Sequence, residues 1–114
     1  MANGPEIKEN PLYHLLRSGD IREFNRRKAA GEIPDLAGAD LRGLDLRGMD
    51  ADGVDFSNSY FRQSDLRGID FSKANLEGAS INGAKISGTL FPSQLRAEEI
   101  NLSLTHGTRM RYSA

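Results

Sequence analysis

Cysteine is absent from the 114-residue chain. That removes disulfides, thiolate metal sites and thiol nucleophiles together. An excess of either charge is also missing. The net charge is −1 and the pI about 6.1, so no global field selects nucleic acid or an acidic membrane. No apolar run approaches the ~18 residues of a membrane span. The opening stretch MANGPEIKENP has no apolar core of the kind a secretory signal needs. A cytoplasmic protein is the expectation. No two glycines are separated by one residue, so there is no GxGxxG, and no glycine pair runs on into the Lys-Ser/Thr of a P-loop either. His14 and His106 stand near opposite ends of the chain in no metal-ligand spacing, and read as surface or cap-packing residues. DADGVD, at 50–55, lacks the glycine and glutamate placement of a calcium loop. No base accompanies any serine. The chain is therefore expected to be no enzyme, with no cofactor, no metal and no small-molecule substrate.

What the chain does have is a period of five. From Pro34 to Ser93 it divides into PDLAG, ADLRG, LDLRG, MDADG, VDFSN, SYFRQ, SDLRG, IDFSK, ANLEG, ASING, AKISG and TLFPS. The third column is apolar throughout: Leu36, Leu41, Leu46, Ala51, Phe56, Phe61, Leu66, Phe71, Leu76, Ile81, Ile86, Phe91. The second column is mostly Asp or Asn and the fifth mostly Gly. A helix does not suit this pattern, because a glycine every fifth residue costs about 1 kcal/mol each. A flat strand does not suit it either, because odd spacing throws successive apolar residues onto opposite faces. One short extended side and one tight turn per unit, wound into a coil, places every third-column residue inside.

The units ADLRG, LDLRG, SDLRG and ANLEG resemble the A-(D/N)-L-x-x units of the pentapeptide repeat proteins. The resemblance implies an all-β solenoid, a right-handed quadrilateral β-helix of about three coils with twenty residues to the coil. Coils spaced like paired strands then stack to ~15 Å. Met49, where the family usually has Ala, is expected to fill the space that Ala51 leaves in its column. Ser59 and Ser64 are read as buried hydroxyls bonded to backbone.

The flanks are not repetitive. Residues 1–33 are read as tail and helical cap, 34–93 as the β-helix, and 94–114 as a C-terminal helical cap and tail. Asn10-Pro11 is a helix start, with Leu12, Leu15 and Leu16 on its apolar face. Asp20 with Glu23 resembles a capping box. Ile21 and Phe24 continue the apolar side, and Gly31 ends the second helix. Residues 1–9 are expected to be mobile. Pro92 stops the ladder. A helix is expected from Ala97 to about Leu104, with Ile100 and Leu104 inward and Gly107 as terminator. The tail TRMRYSA is either a docked edge strand or loose.

Sorting units by side of the coil polarises the surface. Asp35, Asp55 and Glu77 share one side, and Asp50, Asp52, Asp70 and Lys73 the next. The other two carry Asp40, Arg42 and Arg62, and Asp45, Arg47, Asp65, Arg67 and Lys85. Arg42 over Arg62, and Arg47 over Arg67, make two short arginine ladders. Tyr60 replaces the usual Asp and is expected to stand exposed between them. Tyr and Arg are enriched at binding hot spots, so Tyr60, Arg42, Arg47, Arg62 and Arg67 form the candidate surface for a protein partner. The run Arg26-Arg27-Lys28 reads as a solvated helix face, which argues against nucleic acid. The family resemblance implies a non-enzymatic binding scaffold. It also implies an alternative, a DNA-mimicking modulator of gyrase or another topoisomerase. A stack of ~15 Å against the ~34 Å turn of B-DNA argues against that, as do the arginines. A homodimer through a coil edge or the C-terminal tail is the further alternative.

Overall fold

The unit LDLRG shows how the period of five arises. In the computed structural model, which describes residues 4–113, Asp45 Oδ1 accepts the Arg47 amide at 3.2 Å. That closes an Asx turn. The Met49 amide then donates to the Leu46 carbonyl at 3.0 Å. Gly48, third in this β-turn, has φ of 85°, the sign a type II turn requires there. The Asx bond recurs from Asp50 to Asp52, Asp55 to Ser57, Asp70 to Ser72 and Asn75 to Glu77. Asn58 and Gln63 take the glycine position with φ of 59°.

A turn every five residues leaves room for a single paired residue on each side. The repeats accordingly form isolated parallel bridges: Asp40 with Tyr60, Asp45 with Asp65, Asp55 with Asn75, Tyr60 with Ser80, Asp65 with Lys85 and Asp70 with Leu90. Each joins residues twenty apart, or four pentapeptides. Amide bonds run along the stack, such as Leu41 N–H to Tyr60 O at 2.9 Å and Phe61 N–H to Ser80 O at 2.8 Å. The repeats wind as a β-helical solenoid.

The third column packs along its axis, with Leu36 to Ile81 all buried. Phe56, Phe61 and Phe71 meet in the middle with ring centroids 5.5 to 5.9 Å apart. Met49 is buried beside Ala51. Ser59 Oγ donates to Phe56 O at 2.6 Å and Ser64 Oγ to Leu41 O. Ile86 and Phe91 depart from the expected pattern: both are only half-buried. Their sides lie at the C-terminal end, where the cap covers the other two.

At the N-terminal end, α1 (Pro11–Arg17) and α2 (Ile21–Ala29) form a helical hairpin. Asn10 Oδ1 accepts the Tyr13 amide at 3.1 Å, and Asp20 Oδ1 the Glu23 amide at 3.2 Å. Only half of the expected capping box forms, because the Glu23 carboxylate turns to Arg26 at 2.6 Å. Leu12, Leu16, Phe24 and the unforeseen Tyr13 are buried over the first coil. The expectation of mobility over residues 1–9 is corrected at Glu6, while residues 1–3 lie outside the described part. Glu6 N–H donates to Gly38 O at 3.0 Å and Asp40 N–H to Glu6 O at 2.8 Å. Polar groups on an open coil edge need partners, and this segment supplies them.

At the other end, α3 (Ala97–His106) stops at Gly107, with φ of 74°. Ile100 and Leu104 are half-buried against the core, whereas Ser103 is fully buried. Its Oγ accepts the Ile81 amide at 2.9 Å. The tail is docked. Gly78 N–H donates to Met110 O at 2.7 Å, and Met110 N–H to Ala79 O at 2.8 Å. Tyr112 Oη accepts the Leu76 amide at 2.8 Å.

Candidate functional site

Two adjacent sides of the solenoid carry the arginines singled out in the sequence, and the Asx turns hold most of them. Arg47 Nε and Nη2 grip Asp45 at 2.9 and 2.7 Å, and Nε lies 3.3 Å from Asp65 in the next coil. Arg67 grips Asp65 at 2.9 and 2.6 Å. The Arg67 hydrogen bonds hold the Asp65 carboxyl far below the usual carboxylate range, and the Asp45 carboxylate raises Arg47. Four side chains thus make a neutral lattice. Exposed pairs of this kind are worth little in stability, but they fix where the guanidinium groups stand.

Arg42 is held the same way by Asp40, at 2.9 and 3.1 Å. Asp40 differs from its counterparts in being 8% exposed. Its backbone carbonyl accepts Tyr13 Oη at 2.8 Å and Arg17 Nη1 at 3.4 Å. Arg17 Nη1 also lies 3.9 Å from its carboxylate. The Arg42 hydrogen bonds lower the Asp40 pKa against the opposing pull of burial. Arg62 stands next to this group, exposed, and its side chain makes no ion pair or hydrogen bond among the described residues. Between α1 and the solenoid lies a cleft of about 370 Å³ lined by Arg17, Asp40, Arg42, Gly43, Arg62 and Gln63. Sequence reasoning missed Arg17, because the repeat period says nothing about where the cap helix lands.

Tyr60 is not the exposed residue between ladders that its position suggested. It is half-buried. Arg109 of the tail lies over its ring, with the guanidinium carbon 5.2 Å from the centroid, and donates to Tyr60 Oη. Arg109 Nη1 also donates to Gly78 O at 3.0 Å. The tyrosine anchors the tail.

Elsewhere the caps neutralise charge. Arg26 pairs with Glu23 and Arg27 with Glu32, while Lys28 reaches Asp50 at 3.2 Å. Lys8 lies 3.4 Å from Asp35. The acidic half of the solenoid is thereby partly paid down by lysines from the N-terminal segment. Among the described residues no three His, Asp or Glu side chains gather as a metal site. No helix there is long and apolar enough to cross a membrane.

No curated protein and no solved structure matches the chain. A family model described as pentapeptide repeats does match, in eight copies over residues 35–68 and 55–91. With its Asx-closed units of five bridged at a step of twenty, the chain belongs to the pentapeptide repeat family.

Proposed function

We propose that this chain is a right-handed quadrilateral β-helix of about three coils that works as a non-enzymatic binding scaffold for a protein partner. The family is one of interaction modules, and the bridges at steps of twenty support the coil count. The observation that carries the reading is the pre-positioned arginine surface. Arg42, Arg47 and Arg67 are each clamped by an aspartate at hydrogen-bond distance. Guanidinium groups fixed before binding lose less entropy when a partner arrives. Tyr60 belongs to the proposed surface as its partly covered member, packed against Arg109 of the tail. The test is co-purification from the native cell with Arg42→Ala/Arg62→Ala as control. The expected result is a partner whose recovery falls at least about tenfold with the variant. Undiminished recovery would remove the arginines from the interface.

A topoisomerase-directed DNA mimic has less support, because an acidic surface broken by these arginines and cap lysines is a poor imitation of a phosphate backbone. Gyrase supercoiling unchanged by the purified protein is the outcome this account expects.

Self-association has one specific observation in its favour. At the C-terminal end, nothing among the described residues bonds to the amides of Ile86, Gly88 or Phe91, and Leu90 beside them is 57% exposed. An apolar coil edge with free donors is a template for another strand. The N-terminal end is covered by the helical hairpin and the Glu6 segment, so a second copy would meet this edge with its own. The tail is docked within the chain, which leaves the edge as the route. Sedimentation at two concentrations decides between monomer and dimer.

A further inference from the structure

We infer that the cleft between α1 and the Arg42–Arg62 side of the solenoid binds a phosphate dianion carried on a side chain of the protein partner. This inference rests on the scaffold reading and names the chemistry that the surface recognises.

Three guanidinium groups, from Arg17, Arg42 and Arg62, line the cleft against one carboxylate, Asp40. Two positive charges remain uncompensated, which matches a phosphate monoester dianion; a lone carboxylate would neutralise half. Donors are also left over. Arg42 spends Nε and Nη2 on Asp40. Arg17 spends only Nη1. Arg62 spends none among the described residues. Arg17, Arg42 and Arg62 belong to three different parts of the chain, α1 and two successive coils, yet line one cleft of about 370 Å³. Gly43, exposed in the lining, adds no side chain to fill it. Planar forks facing a small open space suit a phosphate's several oxygens.

The same bookkeeping separates a phosphorylated side chain from a nucleic acid. Binding a polyanion needs a basic track several phosphates long. Outside this cleft, Arg47 and Arg67 are matched by Asp45 and Asp65, Arg26 by Glu23, Arg27 by Glu32 and Lys28 by Asp50. Arg22, Lys73, Lys85 and Arg96 make no ion pair among the described residues, but none of them lines the cleft, where three guanidinium groups meet one carboxylate.

The test is an NMR titration of the full chain with phenyl phosphate, set against acetate and a single-stranded oligonucleotide at equal ionic strength. Saturable shifts at the Gly43 and Gln63 amides are expected with phenyl phosphate and not with acetate. Arg62→Ala should weaken them at least about tenfold, the usual loss for one charge-assisted contact. Arg26→Ala, whose guanidinium pairs with Glu23 on α2 away from the cleft, should leave them unchanged. Absent shifts, equal shifts with acetate, or an unaffected Arg62→Ala would each overturn the site. Tighter binding of the oligonucleotide would overturn the choice of a protein-borne phosphate. Phosphatase treatment of the native extract separates this inference from the scaffold reading. Capture that depends on Arg42 and Arg62 yet survives phosphatase leaves the scaffold standing and removes the phosphate.

Discussion

The two ends of the solenoid face the same problem and solve it to different extents. A terminal coil exposes a ring of backbone donors and acceptors around an apolar core. At the N-terminal end three devices answer it. A strand segment at Glu6 pairs with the Gly38–Asp40 edge. The Asn25 side chain donates to Gly48 O and accepts from Asp50 N–H, both at 2.9 Å, and so imitates a neighbouring strand. Tyr13 caps the Asp40 carbonyl. At the C-terminal end Ser103, the Met110 backbone and Tyr112 close two sides, and the sides of Ile86 and Phe91 stay open. The lesson is that covering the core and satisfying the edge are separate tasks. A helix does the first readily. The second takes particular polar atoms at strand spacing, borrowed here from side chains as often as from backbone.

The strongest way to break this contrast is to empty each end of an aromatic ring. Phe24 is fully buried on the inner face of α2 and Phe91 is only partly buried at the open end. Phe24→Ala should cost about 3 to 5 kcal/mol in urea denaturation, as a filled core site does. Phe91→Ala should cost about 1 kcal/mol, in line with its smaller loss of buried area. Phe71→Ala, in the central aromatic cluster, belongs with Phe24 at about 3 to 5 kcal/mol. Equal costs at Phe24 and Phe91 would mean that the C-terminal end is as closed as the other.

Next come the edge bonds themselves. Ser103→Ala strands a buried Ile81 amide, with an expected loss of about 2 kcal/mol. Asn25→Ala removes two bonds to Gly48 and Asp50, but these groups are exposed and water replaces the amide. Its expected cost is about 1 kcal/mol. Both are read from thermal melts. An Asn25→Ala loss exceeding that of Ser103→Ala would contradict the burial on which this order depends.

Much of this was legible in the sequence because the repeat imposes its own frame. Third-column burial, the Asp turns, the roles of Ser59 and Ser64 and the Asn10, Asp20 and Gly107 caps all follow from local rules. What escaped was the side-chain hydrogen bonds between a cap and the repeats. Nothing near Asn25 or Ser103 marks it as a strand mimic, since each works through the coil edge that its helix happens to meet. Tyr13, Arg17 and Arg109 escaped for the same reason. Tyr60 was visible as an exception to the Asp column, but its use was decided by the tail fifty positions on. The candidate surface was legible for Arg42 and Arg62 and illegible for Arg17, the residue that turns a ladder into a cleft.

Acid should act unequally on the two ends. The N-terminal cap is tied by carboxylates: Asp40 to Arg17, Asp50 to Lys28 and Asp35 to Lys8. The C-terminal cap is tied by hydroxyls and backbone as well as by the Glu77 and Glu99 carboxylates, but the amides of Gly78 and Ile81 bond to a backbone carbonyl and a hydroxyl. Asp40 has its pKa lowered on folding, chiefly by Arg42. A carboxylate of that kind contributes stability that is complete above the unfolded value, near 4, and is lost as pH falls through the lower folded value. Hydrogen exchange at the Asp40 amide should therefore quicken relative to Gly78 and Ile81 below about pH 4, after correction for the intrinsic rate. Parallel loss at both ends would mean that the shared Asx turns, not the caps, govern acid sensitivity.

The smallest expected change in stability tests the open edge most directly. Leu90 points outward from the last coil and is 57% exposed. Replacing it with lysine removes little buried area, so the melting free energy should move by less than about 0.5 kcal/mol. Association is a different matter. If two copies pair through this edge, a lysine from each would be brought into an apolar contact with its like charge, and the pairing should fail. Wild-type protein that sediments faster at high concentration, with Leu90→Lys remaining slow, would tie self-association to the half-open end. Identical sedimentation of the two would instead make the open edge a solvated terminus, its amides bonded to water, and the asymmetry of the caps would have no consequence for assembly.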